Sequence, residues 1–172
     1  IEYFPQDVKP VNKPTTFLWF GHASNIEYLI AFIKLGFRVG DQIKLIILSN
    51  EAGLEYFSKA QLSSAAEIQM QLGVWSPETM VHASKLADAC IIPINNADPR
   101  KSGASSNRLI TALALGLPVA AGALDSYIDF KKYYVDIESE EFRALIKDPS
   151  AFHDQVRLAQ LDVLPKYSMQ SL

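Results

Sequence analysis

Residues 89–121 read ACIIPINNADPRKSGASSNRLITALALGLPVAA, and this stretch decides the fold. It opens on an apolar run at 89–94, which predicts a buried strand. A polar loop follows at 95–105, and then a segment of helical period at 106–115 that ends at a glycine and a proline. The apolar residues 119–121 predict the next strand. A strand, a helix and a second strand in this order are typical of a parallel sheet with helices on its faces.

The same alternation extends along the chain in both directions. The other predicted strands are 16–20, 44–48 and, as an edge or half-buried strand, 67–72. The other predicted helices are 24–36, 53–61, 76–86, 139–147 and 151–161. Ser24 and Glu27 fit a capping box at the start of the first of these helices. We therefore expect a single α/β domain, with a mostly parallel sheet and helices on both faces.

Composition limits the classes of function. The chain has 172 residues, of which 49% are hydrophobic and 20% charged, so it should fold as one domain. Its net charge of -3 disfavours nucleic acid as the main partner. The single cysteine, Cys90, excludes a disulfide within the chain and favours a cytoplasmic location. Residues 1–14 are rich in proline and are interpreted as a linker, so that 15–172 form a domain cut from a longer protein.

The helix entrance near residue 106 has the composition of an anion site. Small polar residues lie at the start of the helix, where free N–H groups and the helix dipole attract phosphate. Three cations lie close in sequence: Arg100, Lys101 and Arg108. In an open α/β sheet this loop lies at the carboxyl end of a strand, where ligands bind. The alternative is that the small residues only cap a buried helix and that the cations belong to a solvated loop.

Three stretches resemble one known family. They are Trp19-Phe20-Gly21 with Asn25, residues 86–93, and Lys101 to Val119, the last with the pattern K-x-x-x-x-x-N-R-hydrophobic-I-x-A-x-A-x-G-x-P-V. Their order and spacing over residues 15–130 are similar to the C-terminal half of GT-B glycosyltransferases, especially bacterial family-4-like enzymes of surface polysaccharide synthesis. The third stretch is the most specific of the three.

The resemblance implies a Rossmann-like domain that binds a nucleotide-diphosphate sugar, with a separate N-terminal half for the acceptor. The sugar would pass to a surface polysaccharide or a glycolipid, and the missing half would bring a peripheral contact with the inner face of the membrane. Neither a metal nor a further cofactor is expected, and no catalytic residue is identified. The residues expected to bind the donor are Gly21, His22, Trp75, Lys101, Ser105, Ser106, Asn107, Arg108 and Thr111.

Thr111 departs from the family pattern. Such enzymes usually carry a glutamate at this position, where its carboxylate can bind the ribose, and a hydroxyl makes a weaker bond. This departure favours a second hypothesis, a non-catalytic binding or assembly domain of the same fold. A Rossmann-like oxidoreductase is disfavoured, because no G-x-G-x-x-G follows the first predicted strand.

Several single residues have two interpretations. Trp75 could stack on a nucleobase or anchor the core, and His22 could donate to a phosphate or only cap a loop. Asp88 is interpreted as a turn residue. Residues 127–134 combine aromatic side chains and lysines, which fits either a partly buried loop or a surface that packs on the missing half or a membrane.

Overall fold

Six parallel strands form one sheet. The structure is a computed structural model that describes residues 13–167. The strands are β1 Thr15–Phe20, β2 Gln42–Ser49, β3 Glu67–Val74, β4 Ala89–Ile92, β5 Val119–Ala121 and β6 Val135–Asp136. Their order in the sheet is β3-β2-β1-β4-β5-β6, and every neighbouring pair is parallel. This is a Rossmann-like, doubly wound order, and it confirms the predicted fold class.

Six α-helices connect and cover these strands. They are α1 Ile26–Leu35, α2 Glu51–Lys59, α3 Pro77–Leu86, α4 Asn107–Ala114, α5 Glu140–Lys147 and α6 His153–Asp162. Every residue of β1 is buried, because helices cover both faces of the sheet. Leu18 and Phe20 belong to the core cluster under α3, α4 and α6, whereas Phe17 and Trp19 belong to the cluster under α1, α2 and α5.

The ends of several helices follow from local chemistry. Ser76 caps α3 in a capping box with Thr79, which confirms the predicted start of this helix. After α4, Gly116 adopts a φ of 82°, a left-handed conformation that costs glycine little, and the chain turns toward β5. Asp88 turns the chain from α3 into β4, and its carboxylate accepts a hydrogen bond from the N–H of Thr16 at 2.8 Å.

The predicted capping box at Ser24 and Glu27 is wrong. A 3-10 turn at Ala23–Asn25 comes first, with the His22 ring as acceptor for the Ser24 N–H, and α1 begins only at Ile26. The Glu27 carboxylate does not reach back to the helix start, because it forms an ion pair with Arg100 at 2.6 Å. A contact between residues 73 positions apart therefore replaces the local one.

The second half of the chain holds the remaining differences. The two-residue strand β6 was not predicted, and β4 ends at Ile92 rather than at residue 94. The aromatic rings of the 127–134 segment face the core, since Tyr127, Phe130, Tyr133 and Tyr134 are all buried. This supports the interpretation as a structural loop rather than as a docking surface.

The proposed linker falls mostly outside the part of the chain that the structure describes, which begins at Lys13. Across residues 13–167, no helix is both long enough and apolar enough to cross a membrane.

Candidate functional site

A cleft of about 1110 Å³ opens at the carboxyl edge of the sheet. It lies where the strand order reverses between β1 and β4, which is the usual ligand position in an open α/β sheet. Residues that follow β1, β2, β3 and β4 line it on one side, and α4 with the loop before it lines the other. The cleft is large enough to hold a ligand of nucleotide size.

The structure brings the predicted donor-binding residues together, with one exception. The lining residues among them are Gly21, His22, Trp75, Lys101, Ser105, Asn107, Arg108 and Thr111. Ser106 does not line the cleft. It is the N-cap of α4, but its hydroxyl accepts no hydrogen bond from the first turn of the helix. The N–H groups of that turn therefore donate no hydrogen bond to the Ser106 side chain.

Arg108 provides a half-buried cation beside the floor of the cleft. Its Nη1 atom is buried and has no hydrogen-bond partner within residues 13–167. Burial lowers the pKa of the guanidinium, since desolvation disfavours its charged form. A guanidinium remains protonated despite such a shift, and Arg108 forms no ion pair with any carboxylate of the described residues.

Gly21 forms the floor next to Arg108. Its N–H donates to Leu48 O at 3.1 Å, and its carbonyl accepts from Ser49 Oγ at 2.7 Å. The backbone there is held from two sides by residues of β2. Arg108 can approach this position closely because a glycine has no side chain.

Lys101 provides the second cation of the cleft. Its ammonium donates to Asn25 Oδ1 at 2.8 Å and lies 5.1 Å from the centre of the Tyr28 ring. Burial is the largest influence that lowers the pKa of Lys101, followed by the positive charges of Arg108 and Arg100. Within the described residues, no carboxylate lies within ion-pair distance of this ammonium.

Arg100, the third cation of the sequence motif, does not line the cleft. It pairs with Asp98 at 2.6 Å and with Glu27 at 2.6 Å, so its charge is already compensated. The hydrogen bonds from Arg100 and Tyr28 hold the pKa of the Asp98 carboxyl well below its usual range. Arg100 therefore fixes the loop before α4 and is not available to a ligand in the cleft.

The loops after β1 and β2 are joined through Asn50. Its Oδ1 accepts from the N–H of Ala23 at 3.0 Å, and its amide nitrogen lies 3.5 Å from His22 Nε2. Asn50 also precedes α2, whose first residue Glu51 lines the cleft. Asn25, Asn50 and Glu51 were not among the predicted residues, although each follows a predicted strand closely enough for the same-edge argument to find it.

Trp75 lies at the apolar end of the cleft with Val74 and Met80. Its side chain is 49% exposed, which does not fit the role of a core anchor. A half-exposed indole at a cleft rim offers a flat surface on which an aromatic ligand group can stack.

The cleft has an uneven balance of charge. Glu51 is the single acidic residue that lines it within the described chain, against the cations Lys101 and Arg108. Across residues 13–167, no three His, Cys, Asp or Glu side chains are grouped to hold a metal ion. The arrangement is suited to binding an anion through cations and N–H groups.

Comparison of the chain with family models, with curated proteins and with solved structures gave no match. The fold and the cleft define the chain as a Rossmann-like α/β domain. Its cleft is lined by two cations and one acidic residue, and it lies where the strand order reverses.

Proposed function

We propose that the chain is the donor-binding domain of a glycosyltransferase of GT-B architecture, which binds a nucleotide-diphosphate sugar. The observation that carries this proposal is the pair of cations Lys101 and Arg108, which line one cleft at the carboxyl edge of the sheet and form no ion pair among residues 13–167. A diphosphate supplies the anionic charge that these cations and the start of α4 attract. The half-exposed Trp75 at the rim offers a stacking surface for the base.

The transferase assignment draws its support from the stretch Lys101 to Val119, which resembles the family motif. In such a reaction the diphosphate leaves with a growing negative charge. Lys101, Arg108 and the N–H groups at the start of α4 would stabilise that charge electrostatically. The acceptor would come from a separate N-terminal half in surface polysaccharide or glycolipid synthesis, on the cytoplasmic side of the membrane.

A second candidate is a non-catalytic domain that binds the same class of ligand for assembly. The observation that favours it is Thr111, an exposed residue in the cleft at the position where the family usually has a glutamate. A transfer assay with the proposed N-terminal acceptor half joined to the chain separates the two candidates. The transferase moves sugar from a nucleotide donor to an acceptor, whereas the binding domain retains donor affinity without transfer.

Calorimetric titration with UDP and GDP tests the shared part of both candidates. We expect weak binding to the wild-type chain and a loss of about tenfold or more in Lys101→Ala and in Arg108→Ala, because a charge-assisted hydrogen bond contributes about 1.5 to 3 kcal/mol. Lys34→Ala is the matched control, since it removes an exposed lysine in the last turn of α1. Absence of binding to both nucleotides, or affinities that neither substitution changes, would refute the proposed site.

A further inference from the structure

The contacts of Lys101 are unusual for a lysine in a loop rich in charge. Its ammonium contacts an amide oxygen, Asn25 Oδ1, and an aromatic face, the ring of Tyr28. Both groups attract a cation, and neither carries a compensating charge. Lys101 is therefore fixed in place without forming an ion pair within residues 13–167.

The neighbouring acids are directed to Arg100 instead. Asp98 and Glu27 both pair with that guanidinium, and Asp98 also accepts the hydroxyl hydrogen bond of Tyr28. The Asp98 side chain is only 9% exposed, so these partners leave it little freedom to turn toward Lys101. Two adjacent cations thus have different roles, one in the loop structure and one in the cleft.

Asn25 lies at a position where an asparagine usually caps a helix. It is the N-cap residue of α1, yet its side chain makes no capping hydrogen bond. The amide oxygen accepts from Lys101 instead. Tyr28 lies three residues further on, and residues at this spacing share one face of a helix. The start of α1 therefore presents two groups to a single ammonium, and of these two residues Asn25 also lines the cleft.

We propose that Asn25 and Tyr28 are positioning residues that hold the Lys101 ammonium unneutralised in the cleft, where it contacts a phosphate group of the ligand. This inference rests on the proposed function, because it specifies how Lys101, one of the two cations of the proposed phosphate site, is held in position. It also accounts for the two neutral direct contacts of Lys101 in a loop network that contains two carboxylates.

Asn25→Asp is the sharpest test, with inorganic pyrophosphate as the probe in calorimetry. The new carboxylate keeps an oxygen acceptor for Lys101, so a purely structural role predicts unchanged or higher stability and only the modest loss of affinity that a carboxylate on the cleft lining causes by repulsion. The positioning role predicts that pyrophosphate binds about tenfold more weakly, because the ammonium is neutralised. The salt dependence of the remaining affinity should also fall, since one attractive charge has been cancelled.

Ser24→Asp is the matched control for Asn25→Asp. It adds the same charge one residue earlier, at an exposed position that does not line the cleft. Screening by salt should limit its effect to about twofold. A loss equal to that of Asn25→Asp would show that the effect is general electrostatics and would overturn the inference.

Two substitutions of Tyr28 separate its ring from its hydroxyl. Tyr28→Phe keeps the aromatic face and should retain pyrophosphate affinity within about threefold, whereas Tyr28→Leu should lose about fivefold because the cation–π contact disappears. Tyr28 is buried, so thermal unfolding is followed for both variants, and affinities are compared at a temperature where both are folded. Equal affinities of the two variants would overturn the role of the ring.

The outcomes distinguish this inference from the proposed function. Pyrophosphate binding that Asn25→Asp leaves unchanged overturns the inference alone. Binding of pyrophosphate without any binding of UDP or GDP overturns the proposed function and leaves the positioning of Lys101 supported by the Asn25→Asp result. No binding of pyrophosphate to a wild-type chain that still binds UDP or GDP overturns the inference alone, and no binding of any of the three ligands overturns both.

Discussion

The guanidinium of Arg108 lies close to the backbone of Gly21 at the floor of the cleft. A Cβ atom placed on Gly21 would lie 3.3 Å from Arg108 Nη1 and 3.0 Å from the ring of Trp19. Because the peptide groups of Gly21 are bonded to β2, the backbone cannot move away from a new side chain without breaking these bonds. The position of the buried guanidinium therefore depends on the absence of a side chain at residue 21.

Gly21→Ala should displace Arg108 and weaken the binding of UDP by about tenfold, if Arg108 contacts the phosphates. The tight contact with Trp19 should also reduce the free energy of unfolding by about 1 kcal/mol. Calorimetry and urea unfolding measure the two effects. Gly103→Ala is the control, because a Cβ there meets nothing within 4 Å. Wild-type affinity in Gly21→Ala would show that the arginine position does not matter for binding.

Gly53→Ala should destabilise the fold and also disturb the hydrogen bonds that Ser49 and Asn50 make at the cleft. A Cβ at Gly53, which is buried in α2, would lie 2.2 Å from Ser49 Oγ and 3.1 Å from Asn50 Oδ1. To relieve this overlap, α2 has to move away from β2. This movement should lower the free energy of unfolding, measured with urea, by about 1 to 3 kcal/mol. A variant as stable as Gly103→Ala would mean that α2 does not pack this closely on β2.

The capping error at α1 shows what the sequence can and cannot predict. The local pattern of Ser24 and Glu27 is a valid capping signal, but it competes with an ion pair to Arg100, and local spacing contains no information about that contact. The buried strands β1, β2, β4 and β5 were predictable because apolar runs bounded by turn residues leave few alternatives. The two-residue strand β6 is too short to show any period.

The cleft was predictable in its location and partly in its residues. The carboxyl ends of parallel strands meet at one edge, which predicts the position of the loop before α4, and the family resemblance implied that Gly21 and Trp75 lie at the same site. The different roles of Arg100, which pairs with acids in the loop, and Lys101, which lines the cleft, could not be predicted, because both are cations in the same loop. Only the three-dimensional position of Glu27 and Asn25 on α1 decides which of the two faces the ligand.

The Asp41 and Arg143 pair should make stability depend on acid pH. Their side chains are 12% and 15% exposed, and Arg143 Nη2 donates to both carboxylate oxygens of Asp41, at 2.5 and 2.7 Å. Burial alone would raise the pKa of Asp41, but the hydrogen bonds from Arg143 and from the Arg38 N–H outweigh it, and the pKa is lowered. A lowered pKa means that the pair stabilises the fold above the unfolded pKa and that this stabilisation is lost as the pH falls through the folded value.

Asp41→Asn should therefore lower the free energy of unfolding by about 2 kcal/mol at neutral pH, because the partly buried Arg143 loses its ion-pair partner. The difference in the free energy of unfolding between wild type and variant should become smaller as the pH falls below about 4. Urea unfolding from pH 7 to pH 3 measures both stabilities. Asp129→Asn, which removes an exposed carboxylate, is the control. A difference that stays constant or increases toward acid pH would contradict the assigned ion pair.

Cys90 should be unreactive in the folded chain. The residue has no exposed surface, and burial raises the pKa of its thiol to about 12. A thiol reagent at pH 8 should therefore label Cys90 only as fast as the chain unfolds, and immediately in denaturant. Rapid labelling under native conditions, without loss of structure, would show that β4 is not the buried centre of the sheet.

The central claim is that the phosphates of a nucleoside diphosphate bind where α4 begins, between Lys101, Arg108 and Gly21. Titration of the isotopically labelled chain with UDP, followed by the NMR shifts of its backbone amides, tests this most directly. We expect the amides of Gly21, Asn107 and Arg108 to shift most, that of Trp75 to shift with them, and the amides at the opposite edge of the sheet to stay unchanged. Saturating shifts confined to another surface, or none at millimolar UDP, would contradict it.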